Sequence, residues 1–148
     1  RKESSAASDV YKRQDEEHEH LSLEDAEVIV AAGMGVKDEE GLKVVKDFAK
    51  ALGAEFGVTK PIVDNGWADK SLQVGVTGKT VKPKLYIAVG ISGALQHTNG
   101  MKESELIIAI NSDKDAKIMK IANYGIVGDL FTILPLLSER IREEKKVN

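Results

Sequence analysis

Cysteine is absent from this chain, so disulfides, thiolate metal sites and thiol redox chemistry are excluded, in keeping with a reducing compartment. Any redox role has to come from a bound cofactor. A large excess of charge of one sign is also missing. A formal net charge of -3 gives no electrostatic footprint for a polyanion, and nucleic-acid binding is not expected. No apolar run approaches the roughly 18 residues that span a bilayer, so membrane insertion is not expected either. Aromatic residues make up 5% of the chain and Trp67 is the one tryptophan. Placed after the turn Asp64-Asn65-Gly66, it reads as a packing anchor.

What is present is enough for one packed domain: 148 residues, 42% hydrophobic and 30% charged, the balance of a soluble globular protein. The chain starts at Arg1, and the natural N-terminus is expected to lie upstream. Residues 1–14 carry no hydrophobic period and read as an assembly or cloning remnant, leaving 1–20 as a disordered leader and 21–148 as the domain. The acid-histidine run Asp15–His20 (DEEHEH) reads as a solvated linker, since further clustered ligands are lacking.

The central stretch is Gln73–Met101, QVGVTGKTVKPKLYIAVGISGALQHTNGM. Leu85–Val89 (LYIAV) is a short, nearly all-apolar run that suits a buried parallel strand with helices over both faces. Gly90-Ile91-Ser92-Gly93 then lets backbone amides approach a ligand, with a helix start expected beyond it, the geometry of a phosphate cradle. Further strands are expected at Glu27–Ala32, Ala54–Val58, Leu106–Ile110 and Ile118–Ala122. Apolar spacing at Leu42, Val45, Phe48, Ala49 and Leu52 predicts a helix ended by Gly53. The first strand runs into Gly33-Met34-Gly35, a tight turn whose spacing alone is weak support for phosphate binding. Pro61 biases the residue before it toward extended backbone. Ser112–Asp115 reads as an Asx-capped turn needing no metal. Tyr124–Asp129 is expected to lead into a final helix with an apolar face at Leu130, Ile133, Leu134, Leu137 and Ile141, kinked at Pro135. Alternation of strands and helices predicts a three-layer α/β domain with a parallel sheet.

QVGxTGK, a strand, GISGAxQH, a second strand ending in Ala-Ile-Asn, and then YGIVGDL together resemble the electron-transfer flavoprotein alpha subunit, over Ala26 to the C-terminus. In that family this region is the FAD-binding domain, and the family's N-terminal alpha domain is missing here. The resemblance implies a Rossmann-like domain with FAD across the strand C-termini, partnered by a beta subunit in a heterodimer. It also implies electron carriage from dehydrogenases, such as the acyl-CoA dehydrogenases of fatty acid beta-oxidation, to a quinone oxidoreductase or other acceptor. No substrate chemistry of the chain's own is implied, and the location would be the bacterial cytoplasm, or the mitochondrial matrix in a eukaryote.

The same resemblance assigns cofactor roles. Thr77 would donate to flavin N5, with Gln73 nearby and Gly78 completing the loop; Val76 replaces a usual glutamine. Thr59 and Lys60 replace a usual Ser-Arg pair beside the flavin ring, and lysine keeps the charge while losing the planar fork. Met34 stands where an arginine usually helps hold the pyrophosphate. Ser92, between Gly90 and Gly93, would meet the pyrophosphate, and Gln96 and His97 the ribityl chain and pyrimidine end. His97 would hydrogen-bond flavin O2, whereas by itself a lone histidine at a helix start is most often structural. Asn111 and Asp129 would serve the adenosine half, although Asp129 is equally well explained as a helix cap. Two other readings stand beside this one: a nicotinamide-dependent dehydrogenase domain, which needs an acidic ribose reader where Thr59-Lys60-Pro61 stands, and a regulatory nucleotide-binding module.

Overall fold

The computed structural model describes residues 22–147, so the leader and the Asp15–His20 run lie outside the described residues. Five strands, β1 (Val28–Ala32), β2 (Glu55–Val58), β3 (Leu85–Val89), β4 (Leu106–Asn111) and β5 (Tyr124–Val127), form one sheet in the order β2-β1-β3-β4-β5. Every pairing is parallel, and Val28 to Ala32 face Leu85 to Val89 one for one. A parallel sheet with central strands buried on both faces needs near-continuous apolar runs, and VIVAA and LYIAV supply them.

The side-chain period of two splits these runs between two cores. Val30, Ala32, Ile87, Val89 and Ile110 point into one, which is closed by α1 (Glu39–Leu52) and α5 (Leu130–Val147). Leu42, Val45, Phe48 and Ala49 of α1 and Leu130 and Leu134 of α5 are buried there, with Leu52, Ile133, Leu137 and Ile141 packed at the margin. Both helical faces expected from spacing are therefore the buried ones. A fully buried Leu, Val or Phe contributes about 1.5–3 kcal/mol, so these helical faces contribute substantially to the stability. Asp38 Oδ1 accepts from Gly41 N–H at 2.9 Å to start α1, and Gly53 in the left-handed region ends it. Helix α5 runs on through Pro135, whose side is exposed.

The opposite core takes Ile29, Ala31, Tyr86, Ala88, Ile107 and Ala109. Loop residues Val74, Val81 and Met101 cover it, together with Leu23, Ala116 and Ile118. The expected helical layer on this side is reduced to α3 (Leu95–Thr98) and α4 (Ile118–Ile121), one turn each.

Three local expectations are corrected. Ile118–Ala122 was expected as a strand, but Ile118–Ile121 is helical, because Ile118 is buried and its N–H bonds the Ser92 carbonyl at 3.0 Å. The strand is instead Tyr124–Val127, placed beside β4 by Asn123, whose side chain accepts from Ile107 N–H at 2.7 Å while its N–H reaches the Ile107 carbonyl. Short apolar windows carry too few residues for periodicity to separate a strand from a helical turn. After β2, the chain forms α2 (Lys60–Asp64) with Thr59 as the extended residue. Proline in a first turn forfeits an N–H that has no helical partner there, so it opens this helix rather than preventing it. Trp67 is part-buried against the helical-face core, the packing role expected of it.

Candidate functional site

Strand order reverses between β1 and β3, since β2 lies on one side of β1 and β3 to β5 on the other. Ligands of open parallel sheets bind at the carboxyl ends of the strands at such a switch point. There Gly33 N–H bonds the Val89 carbonyl at 3.0 Å, and Gly35 N–H bonds the Gly90 carbonyl at 2.8 Å. A Cβ on Gly35 would lie 2.6 Å from Gly90 Cα, and one on Gly33 2.6 Å from the Gly90 oxygen. The two turns thus touch backbone to backbone, and Gly90 itself has φ 64°. Side chains are excluded from the floor of the crevice, which leaves it to a ligand.

A cavity of about 180 Å³ opens on one side of this contact. Met34, Thr59, Lys60, Gln73, Thr77, Gly90, Ser92, Gln96 and His97 of the expected cofactor residues line it. A smaller cavity on the other side contains Asn111 and Asp129, and the two share Gly35 and Gly90. Val76, Gly78 and Gly93 line neither. Gly93 is required elsewhere: its φ is 98°, and a Cβ would meet Ile118 N at 2.4 Å. Gly78 packs on the Gln73 carbonyl, where a Cβ would come within 2.4 Å.

The Gln73–Lys79 loop is suspended from the end of β2, with Val74 N–H on the Val58 carbonyl at 2.9 Å. It closes on itself through Gly75 N–H to Lys79 O and Lys79 N–H to Gln73 O, and joins the Ser92–His97 loop through Val76 N–H to Gln96 O at 2.8 Å. Gln73 is buried, and its Nε2 donates to Thr77 Oγ1 at 2.8 Å. A hydroxyl has one proton to give, so this acceptance leaves the Thr77 proton free to donate outward from an exposed side chain.

His97 is buried at 5% exposure. Its Nδ1 lies 3.0 Å from the Val74 carbonyl and its Nε2 2.9 Å from the Tyr86 hydroxyl. Burial pushes its pKa down to about 4, with the Val74 bond pulling the other way, so the ring is neutral at pH 7. Both ring nitrogens are therefore taken up within the chain.

The charged and sulfur-bearing wall residues are also engaged. Lys60 Nζ pairs with Asp64 Oδ2 at 2.8 Å along α2, and Met34 Sδ accepts from Asn65 Nδ2 at 3.4 Å. The helix start expected after Gly93 is the single turn α3, capped by Ala94. Without a helix dipole of any length, anion contacts here fall to loop amides and the Ser92 hydroxyl. In the outer cavity Asn111 donates to the Ile91 carbonyl and accepts from Asp113 N–H, both at 2.9 Å. Asp113 accepts in turn from Asp115 N–H, the expected Asx turn. The Asp129 carbonyl caps α5 through Thr132 and Ile133 N–H, and its carboxylate accepts the Thr132 hydroxyl at 3.2 Å. Lys37 also lines this cavity, with a positive φ of 76° that a non-glycine residue adopts only under strain. Nothing in its sequence context signals that conformation.

A glycine-floored crevice at the switch point, continued on both sides by polar-walled cavities, defines a dinucleotide-binding α/β domain. A family model described as the electron transfer flavoprotein FAD-binding domain matches residues 22–102. The chain is 50% identical over 125 residues to an electron transfer flavoprotein subunit alpha of Thermoanaerobacterium thermosaccharolyticum, covering 84% of this chain and 38% of that protein. It is 52% identical over 131 residues to one of Megasphaera elsdenii, covering 87% and 39%. A lactate dehydrogenase (NAD(+),ferredoxin) subunit LctC of Acetobacterium woodii is 54% identical over 117 residues, covering 79% and 28%. The chain belongs to the electron transfer flavoprotein alpha-subunit family, in the region of its FAD-binding domain, and its cofactor is FAD. It spans about two fifths or less of the length of these relatives.

Proposed function

We propose that this chain holds the FAD of an electron carrier, one that takes electrons from dehydrogenases such as acyl-CoA dehydrogenases and passes them to a quinone oxidoreductase or other acceptor. FAD, when bound, supplies the one- and two-electron chemistry. The chain's own residues bind it, orient it and set the charge and hydrogen bonds around it. The observation that carries this reading is the pairing of the glycine-floored crevice with Thr77, whose hydroxyl proton Gln73 leaves free to donate.

In this reading the larger cavity receives the flavin end and the smaller one the adenosine end. Thr77 donates to flavin N5, with Gln73, Val76 and Gly78 shaping its loop. Thr59, Lys60, Gln96 and His97 form the flavin wall. Ser92 and the Gly90 and Gly93 loop, with Met34 opposite, meet the pyrophosphate, while Asn111 and Asp129 face the adenosine. A beta subunit completes the site: Val76 and Leu95, flanking cavity-lining residues, are 62% and 75% exposed and offer apolar surface for a cover. Among the described residues no helix is long and apolar enough to cross a membrane, and the proposed location is the bacterial cytoplasm or the mitochondrial matrix.

The test is to co-purify the chain with a beta subunit of the family and follow flavin absorbance while an acyl-CoA dehydrogenase and its substrate are supplied. Bleaching of the flavin bands, reversed by a quinone-linked acceptor, is the expected outcome. A loaded complex that neither accepts nor gives up electrons would overturn the carrier reading.

A further inference from the structure

Tyr86 is the largest side chain in the core with essentially no exposure, and it does not line either cavity. Its hydroxyl nevertheless meets His97 Nε2 at 2.9 Å, and His97 does line the larger cavity. The direction of that bond follows from the other nitrogen. The Val74 carbonyl, 3.0 Å from Nδ1, can only accept, so Nδ1 carries the proton. A neutral ring then has a lone pair at Nε2, and the phenol must donate to it. Burial pushes the Tyr86 pKa up, which keeps the phenol protonated and able to do so.

We propose that Tyr86 is a positioning residue for His97. Its hydroxyl and the Val74 carbonyl fix the imidazole as the neutral Nδ1–H tautomer, set its plane at the cavity wall, and occupy the nitrogen that would otherwise be open to the flavin. His97 in turn ties β3, through Tyr86, to the loop that carries Thr77, through Val74. The inference rests on the reading of this cavity as the flavin end. It also revises what His97 offers there: a hydrogen bond from Nε2 to FAD requires either a second proton on the ring or release of the Tyr86 bond.

Two measurements test it on the full chain. The first uses ¹⁵N-histidine NMR without FAD. The parent should show Nδ1 protonated and Nε2 unprotonated but hydrogen-bonded. In Tyr86→Phe the Nε2 resonance should move to the position of a nitrogen without a donor while Nδ1 stays protonated. If Tyr86→Phe does not fold, 3-fluorotyrosine at position 86, with its more acidic hydroxyl, should move Nε2 further in the hydrogen-bonded direction. An Nε2 resonance indifferent to the group at position 86 would overturn the proposal.

The second measures FAD affinity by calorimetry for the parent, Tyr86→Phe, His97→Ala and the double variant. Tyr86→Phe should weaken FAD roughly two- to twelve-fold, the effect of losing the one neutral hydrogen bond that holds the imidazole plane at the cavity wall. It should have no further effect once His97 is alanine, since the coupling runs through the imidazole. An equal loss with or without His97 would mean that Tyr86 acts through packing of β3, and the proposal would be wrong. A parent chain that takes up no FAD, alone or with a beta subunit, contradicts the proposed function, and the resonance measurement still decides whether Tyr86 locks the tautomer.

Discussion

The two cavities that meet at Gly35 and Gly90 differ in how much polar chemistry they leave uncommitted. In the larger, Gln73 satisfies Thr77 in a way that frees a proton, while the Ser92 and Gln96 side chains make no hydrogen bond among the described residues. In the smaller, Asn111 spends both its amide ends on the loop around it, and Asp129 shares its carboxylate with Thr132. Their settings differ too. The larger cavity is backed by buried loop segments, whereas the smaller lies near β5, an edge strand whose four residues are all exposed. The larger is prepared to bond a ligand through side chains. The smaller is stiffened internally and offers chiefly its shape and backbone.

Acid separates the two regions by the largest margin. His97 has its folded pKa held down near 4 against an ordinary value of 6.5. The unfolded chain therefore binds the proton first as pH falls, and this stability is complete above pH 6.5 and lost on the way down to about 4. About 2.5 pH units at 1.36 kcal/mol each amounts to about 3 kcal/mol. Urea unfolding of the parent and His97→Gln across that range should give curves that converge toward low pH. Parallel curves would break the link between the buried ring and the larger cavity's stability.

Next comes backbone contact. Gly35→Ala forces a Cβ onto the Gly90 backbone at 2.6 Å, and overpacking that cannot relax costs about 1–3 kcal/mol. Gly125→Ala in β5 meets only the flexible Met119 Sδ, at 2.7 Å, and should cost under about 1 kcal/mol. Thermal melts of the two variants compare the crevice floor with the edge strand directly; equal losses would erase the distinction.

Thr77→Val removes the uncommitted proton while keeping shape. One neutral hydrogen bond is worth about 0.5–1.5 kcal/mol, so the flavin midpoint potential should move by tens of millivolts, with 1.4 kcal/mol equal to about 59 mV for one electron. An unchanged redox titration takes Thr77 off the flavin. The smallest effect is expected at Lys60. Its half-exposed pair with Asp64 spends its charge locally, and such i,i+4 pairs are worth about 0.3–0.5 kcal/mol. Lys60→Met should therefore shift the potential less than Asp64→Asn does, since the latter leaves the Lys60 cation unpaired beside the cavity; the reverse order would show that Lys60 reaches the flavin despite Asp64.

Long or strongly patterned segments were legible from sequence. The apolar stripes of α1 and α5 and the runs of β1, β3 and β4 announce their burial because each commits many side chains to one face. The glycine turns announced the crevice, since backbone contact at 2.6 Å tolerates no other residue. Two of the four-residue elements were not legible: the strand expected at Ile118–Ala122 is the helical turn α4, and β5 lies just after it, because their identity is decided by Ser92 and Ile107, distant in the chain. The same holds for the side chains of the site. Nothing local to His97 reveals Tyr86 or Val74 as the partners that commit it, and the i,i+4 pair of Lys60 with Asp64 shows only once Lys60–Asp64 is known to be helical.

The central claim is that the β1–β3 crevice holds FAD, and calorimetric titration with FAD, on the chain alone and with the proposed beta subunit, tests it most directly. One FAD per chain is predicted, bound more tightly with the partner present and lost or strongly weakened in Gly35→Ala. No uptake in either state, or Gly35→Ala binding FAD as the parent does, would contradict it.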